Sequence, residues 1–178
     1  MSLVTELERL ADALGDSNAN AEAPPIAWTS VAERIARNLN VKPEEVGILG
    51  LSQKWRHLYF LFPEALRNVG FIPLTSNSAL AARTVRESRP EINNSFAASR
   101  HATVFEGVKT SGVDAGEAIQ KIISAPILSG DKVIGVIQIS RKGPNVGSAG
   151  ADFTAADLGK VLALCKPLGK LLQHVAKD

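Results

Sequence analysis

The sequence predicts an α+β fold, in which helices pack on an antiparallel sheet. Three observations carry that expectation. Ile122–Leu128 and Val133–Arg141 are strand-like runs flanking Ser129-Gly130-Asp131-Lys132, a hairpin with a glycine-containing turn. Apolar residues recur at helical spacing near both ends of the chain. Between those ends there is no regular alternation of strand and helix, which a parallel sheet requires.

The length of 178 residues fits one domain. Apolar residues make up 45% and charged residues 21%, enough to fill a core and keep a solvated surface. Lys and Arg number 20 against 18 Asp and Glu, and a net charge of +2 is too small for a nucleic-acid footprint. The lone cysteine, Cys165, excludes an intrachain disulfide and a cysteine-rich zinc site. His57, His101 and His174 are far apart and match no metal-ligand spacing. No run approaches the ~18 apolar residues of a membrane span. Met1–Leu14 carries Glu6, Glu8 and Asp12 and lacks the regions of a signal peptide, so a cytoplasmic protein is expected.

Leu3, Leu7, Leu10 and Leu14 form one stripe of an N-terminal helix, which Gly15 ends. Asp16–Pro25 reads as a linker, dividing the chain into residues 1–25 and a domain over 26–178 that includes the C-terminal helix. A second helix is expected from Ser30, whose spacing to Glu33 fits a capping box, with Val31, Ile35 and Leu39 inward. Val46–Leu51 and Trp55–Phe62 read as strands joined by a tight turn at Ser52-Gln53. In the second strand Leu58, Phe60 and Phe62 share one side, and bulk on both sides predicts cover on both faces.

Phe71–Leu74 reads as a short strand. Ser76, Asn77 and Ser78 are N-cap candidates for a helix reaching Glu87, with Leu80, Ala81 and Val85 inward. Glu91–His101 is polar and reads as irregular, and Ala102–Val108 as an edge strand. Gly143–Gly150 reads as a surface loop, because it has neither a P-loop nor a dinucleotide fingerprint. The last helix opens with Thr154 and Asp157. Leu158, Val161, Cys165, Leu168, Leu172 and Val175 form its heptad-like seam, widened by Leu164 and Leu171. Pro167 predicts a kink or break near Lys166. Cys165, on that seam, reads as a buried structural thiol.

Ala125-Pro126, Gly130, Ile134-Gly135-Val136 and Phe153-Thr154-Ala155-Ala156-Asp157 occur in an order and spacing that resembles the C-terminal half of a GAF domain. Ser76–Phe96 resembles that family's middle helix and the loop after it, and the similarity spans roughly Trp28 to Leu172. The resemblance implies a six-stranded antiparallel sheet with the terminal helices packed on one face. A small-molecule pocket lies on the other, roofed by the middle helix. Family members bind cyclic nucleotides, bilins or other metabolites and often dimerise through their terminal helices.

What the resemblance implies for this chain is a non-enzymatic sensor that binds a ligand of unknown identity and acts as a homodimer on a separate output protein. The alternative is a structural dimerisation module with a vestigial pocket. Polar residues expected near the pocket are Ser76, Asn77, Ser78, Asn93, Asn94, Ser95, Arg100, His101 and Gln138, together with Phe96. Local roles compete. Ser76 and Asn77 can cap the helix, Asn93 and Asn94 can form turns, and Arg100 and His101 can lie in a solvated loop. Some relatives reduce free methionine sulfoxide with cysteines near the pocket. No cysteine lies in the pocket-forming segments here, so neither that chemistry nor bilin attachment is implied. The family's Asn-Lys-Phe cyclic-nucleotide signature is absent.

Overall fold

A computed structural model describes residues 2–15, 26–67, 70–98 and 118–175. Helices α1 (Leu3–Gly15) and α2 (Trp28–Leu39) precede strands β1 (Val46–Ser52), β2 (His57–Phe62) and β3 (Ile72–Pro73). Helix α3 (Leu80–Glu87) leads to β4 (Glu91–Asn93); the long hairpin β5 (Ala118–Ser129) and β6 (Lys132–Gly143) and helix α4 (Ala155–Leu172) complete the chain. The sheet has six strands in the order β3-β2-β1-β6-β5-β4, every neighbouring pair antiparallel. This is the expected α+β architecture. Gly130, at φ 64, takes the first central position of the β5–β6 turn, where a primed hairpin turn needs a residue tolerant of positive φ.

Alternation along the strands sends two sets of side chains to opposite faces. On one face Ile48, Ile123, Ala125, Ile127, Ile137 and Ile139 meet α1, α2 and α4. On the other Leu49, Leu58, Phe60, Ile122 and Val136 meet α3 and the segments around it. Burying each large aliphatic side chain contributes about 1.5–3 kcal/mol, so both faces are stabilised by packing. Helix α1 is too short to persist alone. It holds because Leu7, Ala11 and Leu14 are buried in the first cluster; Leu10, 38% exposed, turns outward from the stripe expected of it.

Several local expectations differ from the structure. Helix α2 begins at Trp28 with Ala27 as its cap, so Ser30 lies inside the first turn and not at the boundary. Burial of the Trp28 indole, at 6% exposure, fixes that earlier start. The turn after β1 spans four residues, Gln53–Arg56, and Ser52 Oγ accepts the Trp55 N–H at 3.1 Å. Trp55 therefore leaves the strand and is 63% exposed. A register shift between Ile48 and Leu49 moves Phe62 to the terminal-helix face, away from Leu58 and Phe60.

Glu91–Asn93 pairs with β5, although its polar sequence reads as irregular, and Phe96–Ala98 forms one 3-10 turn. Helix α4 runs unbroken through Pro167. The carbonyl deprived of its donor belongs to Ala163, an exposed residue, while Leu164, Leu168 and Leu171 anchor the helix on both sides of the proline. The helix opens at Thr154 and Asp157 as expected, and the two form a capping box, with Thr154 N donating to Asp157 Oδ2 at 2.8 Å. The expected strand at Ala102–Val108 lies outside the described residues.

Candidate functional site

The α3 face differs chemically from the terminal-helix face. Within its apolar cluster runs a line of buried polar side chains: Thr84, Ser124, Gln138 and Ser140, each at most 4% exposed. Ser124 and Gln138 point the same way because they are register partners across β5 and β6. Gln138 Nε2 donates to Ser124 Oγ at 3.2 Å, and Ser124 Oγ lies 2.7 Å from Thr84 Oγ1. Thr84 Oγ1 in turn donates to the Leu80 carbonyl at 2.9 Å, one turn back along α3. Side-chain bonds thus tie the roof helix to the sheet.

The chain of bonds satisfies the two hydroxyls but only one end of the Gln138 amide. Its Oε1 has no donor among the described residues. Leaving a buried carbonyl unmatched costs about 1–3 kcal/mol, so this atom is poised for a donor from a ligand or water. Ser140 Oγ is turned to a structural bond, donating to the Glu45 carbonyl at 3.2 Å.

The residues named from the sequence are divided between roles. Ser76 Oγ accepts the Ala79 N–H at 3.1 Å, and the Ser76 carbonyl accepts from Arg86, so it shapes the entry to α3. Asn77 and Ser78 are exposed at that entry. Asn93 Oδ1 accepts the Ser95 N–H at 2.9 Å, the local turn that competed with ligand contact, and Ser95 is exposed. Phe96 is buried in the α3-face cluster. Arg100 and His101 lie outside the described residues.

Asn94 uses both ends of its amide on one backbone unit. Its Oδ1 accepts the Phe153 N–H at 2.8 Å, and its Nδ2 donates to the Phe153 carbonyl at 3.1 Å. The loop before α4 is pinned further by Lys121, 4% exposed, whose Nζ donates to the Gly150 carbonyl at 2.6 Å and pairs with Asp152 at 2.8 Å. Arg141 donates to the Ala151 carbonyl at 2.7 Å and lies 4.7 Å from the centroid of the Phe153 ring. The segment between β4 and Phe96 is therefore fastened directly to the start of α4.

Thr84 and Ser124 extend the line beyond the residues expected from the sequence. A signal existed for Thr84, four residues after inward-facing Leu80 and hence on the same helix face. Ser124 sits between apolar neighbours, Ile122 and Ile123 before it and Ala125 and Pro126 after it, and only its cross-strand partner reveals it.

Cys165 lies on α4, on the opposite side of the sheet from this polar line. Its Sγ donates to the Val161 carbonyl at 3.3 Å. Burial pushes the thiol up to about 12. It therefore stays protonated at neutral pH, and the thiolate is the reactive form. We predict that iodoacetamide at pH 8 alkylates the native protein at least about a hundredfold more slowly than the urea-unfolded chain. Because the folded thiol titrates above the unfolded one, its contribution to stability is complete below about pH 8.5 and declines as the pH rises beyond it. Cys165→Ala should flatten that alkaline decline in an equilibrium unfolding series.

Among the described residues no group of His, Cys, Asp and Glu could hold a metal ion, and no helix is long and apolar enough to cross a membrane. No protein-family model matches the chain, and no curated protein does. Solved structures are similar over almost the whole chain. The GAF domain of an Acinetobacter phosphoenolpyruvate-protein phosphotransferase is 14% identical, with a TM-score of 0.62 over 98% of this chain and 95% of that one. The GAF domain of the Coxiella burnetii phosphoenolpyruvate-protein phosphotransferase is 9% identical, with a TM-score of 0.61 over 96% and 93%. A type II free methionine-R-sulfoxide reductase from Thermoplasma acidophilum is 12% identical, with a TM-score of 0.55 over 100% and 99%. GAF domains of phosphotransferases and a free methionine-R-sulfoxide reductase thus share this architecture, and at these identities the likeness is one of fold. The six-stranded order, the terminal helices on one face and α3 on the other are the architecture of a GAF domain, and the chain has the GAF fold.

Proposed function

We propose that this domain is a non-enzymatic sensor that binds a small polar molecule between α3 and the sheet. The observation that carries the reading is the half-satisfied Gln138 amide at the end of the Thr84–Ser124–Gln138 line. A ligand donor at Gln138 Oε1 would complete a buried network that ends on the roof helix, so occupancy would favour one placement of α3. Phe96 supplies an apolar wall, and Ser76 and Asn77 stand at the head of the roof helix. Asn94 joins the loop on this face to α4, the route by which occupancy reaches the terminal helices. Arg100 and His101 belong to the proposed site by sequence position, and an anionic or carbonyl-bearing ligand would suit them. The proposed homodimer would use the outward sides of α1 and α4, where Leu10 is 38% and Leu162 43% exposed, since the α1 stripe is occupied within the chain.

A second reading, a structural module with a vestigial pocket, is favoured by the apolar filling of the same face. Leu49, Leu58, Phe60, Ile122 and Val136 are each at most 3% exposed. Thiol-dependent reduction, as in the sulfoxide reductases of this fold, fits poorly with Cys165 behind the sheet.

A thermal-shift screen of nucleotides, amino acids and tetrapyrroles separates the readings. A ligand at about a hundredfold its dissociation constant stabilises by about 2.7 kcal/mol, or about 5–10 °C for a domain of this size. Gln138→Leu should abolish that shift while leaving the unliganded protein within about 1 kcal/mol of wild type, because it removes the unmatched amide. If no ligand shifts the wild type and Gln138→Leu is more stable, the sensor reading is wrong and the structural module stands.

A further inference from the structure

We propose a second ligand site, on the terminal-helix side of the sheet, that takes a small molecule with an apolar body and an anionic head. It stands independently of the sensor reading, because it shares no residue with the α3 face. The site is a cavity of about 470 Å³ where the end of α4 meets the two hairpin turns. That size lies within the range of small-molecule pockets, roughly 300–1,000 Å³.

The sheet lets two of the lining side chains, Tyr59 and Leu172, lie close against it. Gly50 on β1 pairs with Tyr59 on β2 and with Gly135 on β6, so two glycines stand side by side in the middle of one row. Neither carries a side chain, so neighbouring side chains can pack directly on the strands. The Tyr59 ring lies over Gly50, where an added Cβ would come within 2.5 Å of it. Leu172 covers Gly135. Beyond Leu172 the helix ends, and Gln173 and Val175 line the cavity opposite Tyr59.

The walls are fixed by hydrogen bonds between elements. Gln53 Nε2 donates to the Val133 carbonyl at 3.1 Å, joining the β1–β2 turn to β6. Gln173 Nε2 donates to Ser129 Oγ at 2.7 Å, joining the end of α4 to the β5–β6 turn. The cavity is thus a built feature of three converging segments.

Its lining determines the ligand chemistry. Tyr59, Ile134, Leu172 and Val175 give an apolar floor, and the rim carries Lys54 and Lys132. No Asp or Glu is among the described lining residues. The carbonyls at the end of α4 do not offset this positive rim as bare acceptors. Those of Gly169, Leu171 and Leu172 already take the N–H groups of Gln173, His174 and Val175. A hydrophobic carboxylate matches both the floor and the rim, whereas a hydrophobic amine of equal length would bring like charge to two lysines.

Calorimetric titration with decanoate, decylamine and decanol, all below micelle-forming concentration, tests the assignment. Decanoate should bind saturably at one site, with decylamine and decanol at least about tenfold weaker. The double variant Lys54→Gln/Lys132→Gln should lose about tenfold in decanoate affinity, and both positions are exposed, so folding is not at stake. Val175→Trp, at the half-buried mouth, should abolish binding by filling the entrance. Absence of saturable decanoate binding overturns the proposal. So does equal binding of decylamine, or decanoate affinity unchanged in the double-lysine variant.

Discussion

Replacing Gly169 by alanine should destabilise the protein by about 1–3 kcal/mol, although the same exchange ten residues earlier should stabilise it. On helix propensity alone both changes are favourable, because alanine exceeds glycine by about 0.8–1 kcal/mol inside a helix. At Gly159 nothing lies within 4 Å of an added Cβ, so the gain is realised. At Gly169 the Cβ would come within 2.5 Å of the Leu128 carbonyl oxygen, a backbone atom beside the turn of the sheet's longest hairpin. Neither partner can turn aside. The helix must lift from β5, withdrawing Leu168, Leu171 and Leu172 from the core they fill. Thermal unfolding of the two variants should show opposite signs: a rise of about 2–4 °C for Gly159→Ala and a drop of similar or greater size for Gly169→Ala. A rise at both positions would show that α4 is not seated on the sheet at this point.

Glu45→Gln should cost about 2–3 kcal/mol, a large loss for an isosteric change. Glu45 is 5% exposed and sits in the single 3-10 turn that leads into β1. Its two carboxylate oxygens accept different backbone donors: Lys42 N–H at 2.8 Å and Lys142 N–H at 2.6 Å. One side chain therefore closes the turn before β1 and ties it to the far end of β6. An amide keeps one acceptor and sets its own N–H₂ against the second N–H, so one donor pair is left unmatched away from water. Urea unfolding followed by tryptophan fluorescence should show a lower midpoint at unchanged slope, since the surface exposed on unfolding stays the same. A shift equivalent to less than about 0.5 kcal/mol would mean that water replaces the carboxylate at no cost.

The fold was legible where side-chain chemistry and backbone geometry agree. The β5–β6 hairpin combines two apolar runs with a glycine at the position needing positive φ, and α4 combines a heptad-like seam with a capping box. Legibility failed where pairing alone creates the element. Glu91–Asn93 is a strand only because Ser124, Ile123 and Ile122 stand beside it. It failed again where burial overrides local preference, as at Trp28, and where one exposed carbonyl makes a helical proline tolerable, as at Pro167. The candidate site was legible at Gln138, a polar residue in an apolar strand. Asn94 carried the right position, but its amide is engaged with Phe153. Thr84 and Ser124 depend on a contact between elements 40 residues apart, which no local pattern contains.

The strand order places β1 beside β6, so the centre of the sheet joins segments such as Val46 and Ile139 that are distant in the chain. Each flanking hairpin closes over only a few residues and forms without waiting for the other. The central seam has to bring the two together against the entropy of the large intervening loop, which grows only slowly with its length. Until it closes, β1 and β6 each present an unpaired edge, and the apolar faces above and below them are open to water. The step that completes the domain is therefore also the one that seals it against edge-to-edge association with other chains. The Gly50–Gly135 pair lies on that seam, so the same contact that lets Tyr59 and Leu172 pack close on the sheet also takes part in joining its halves.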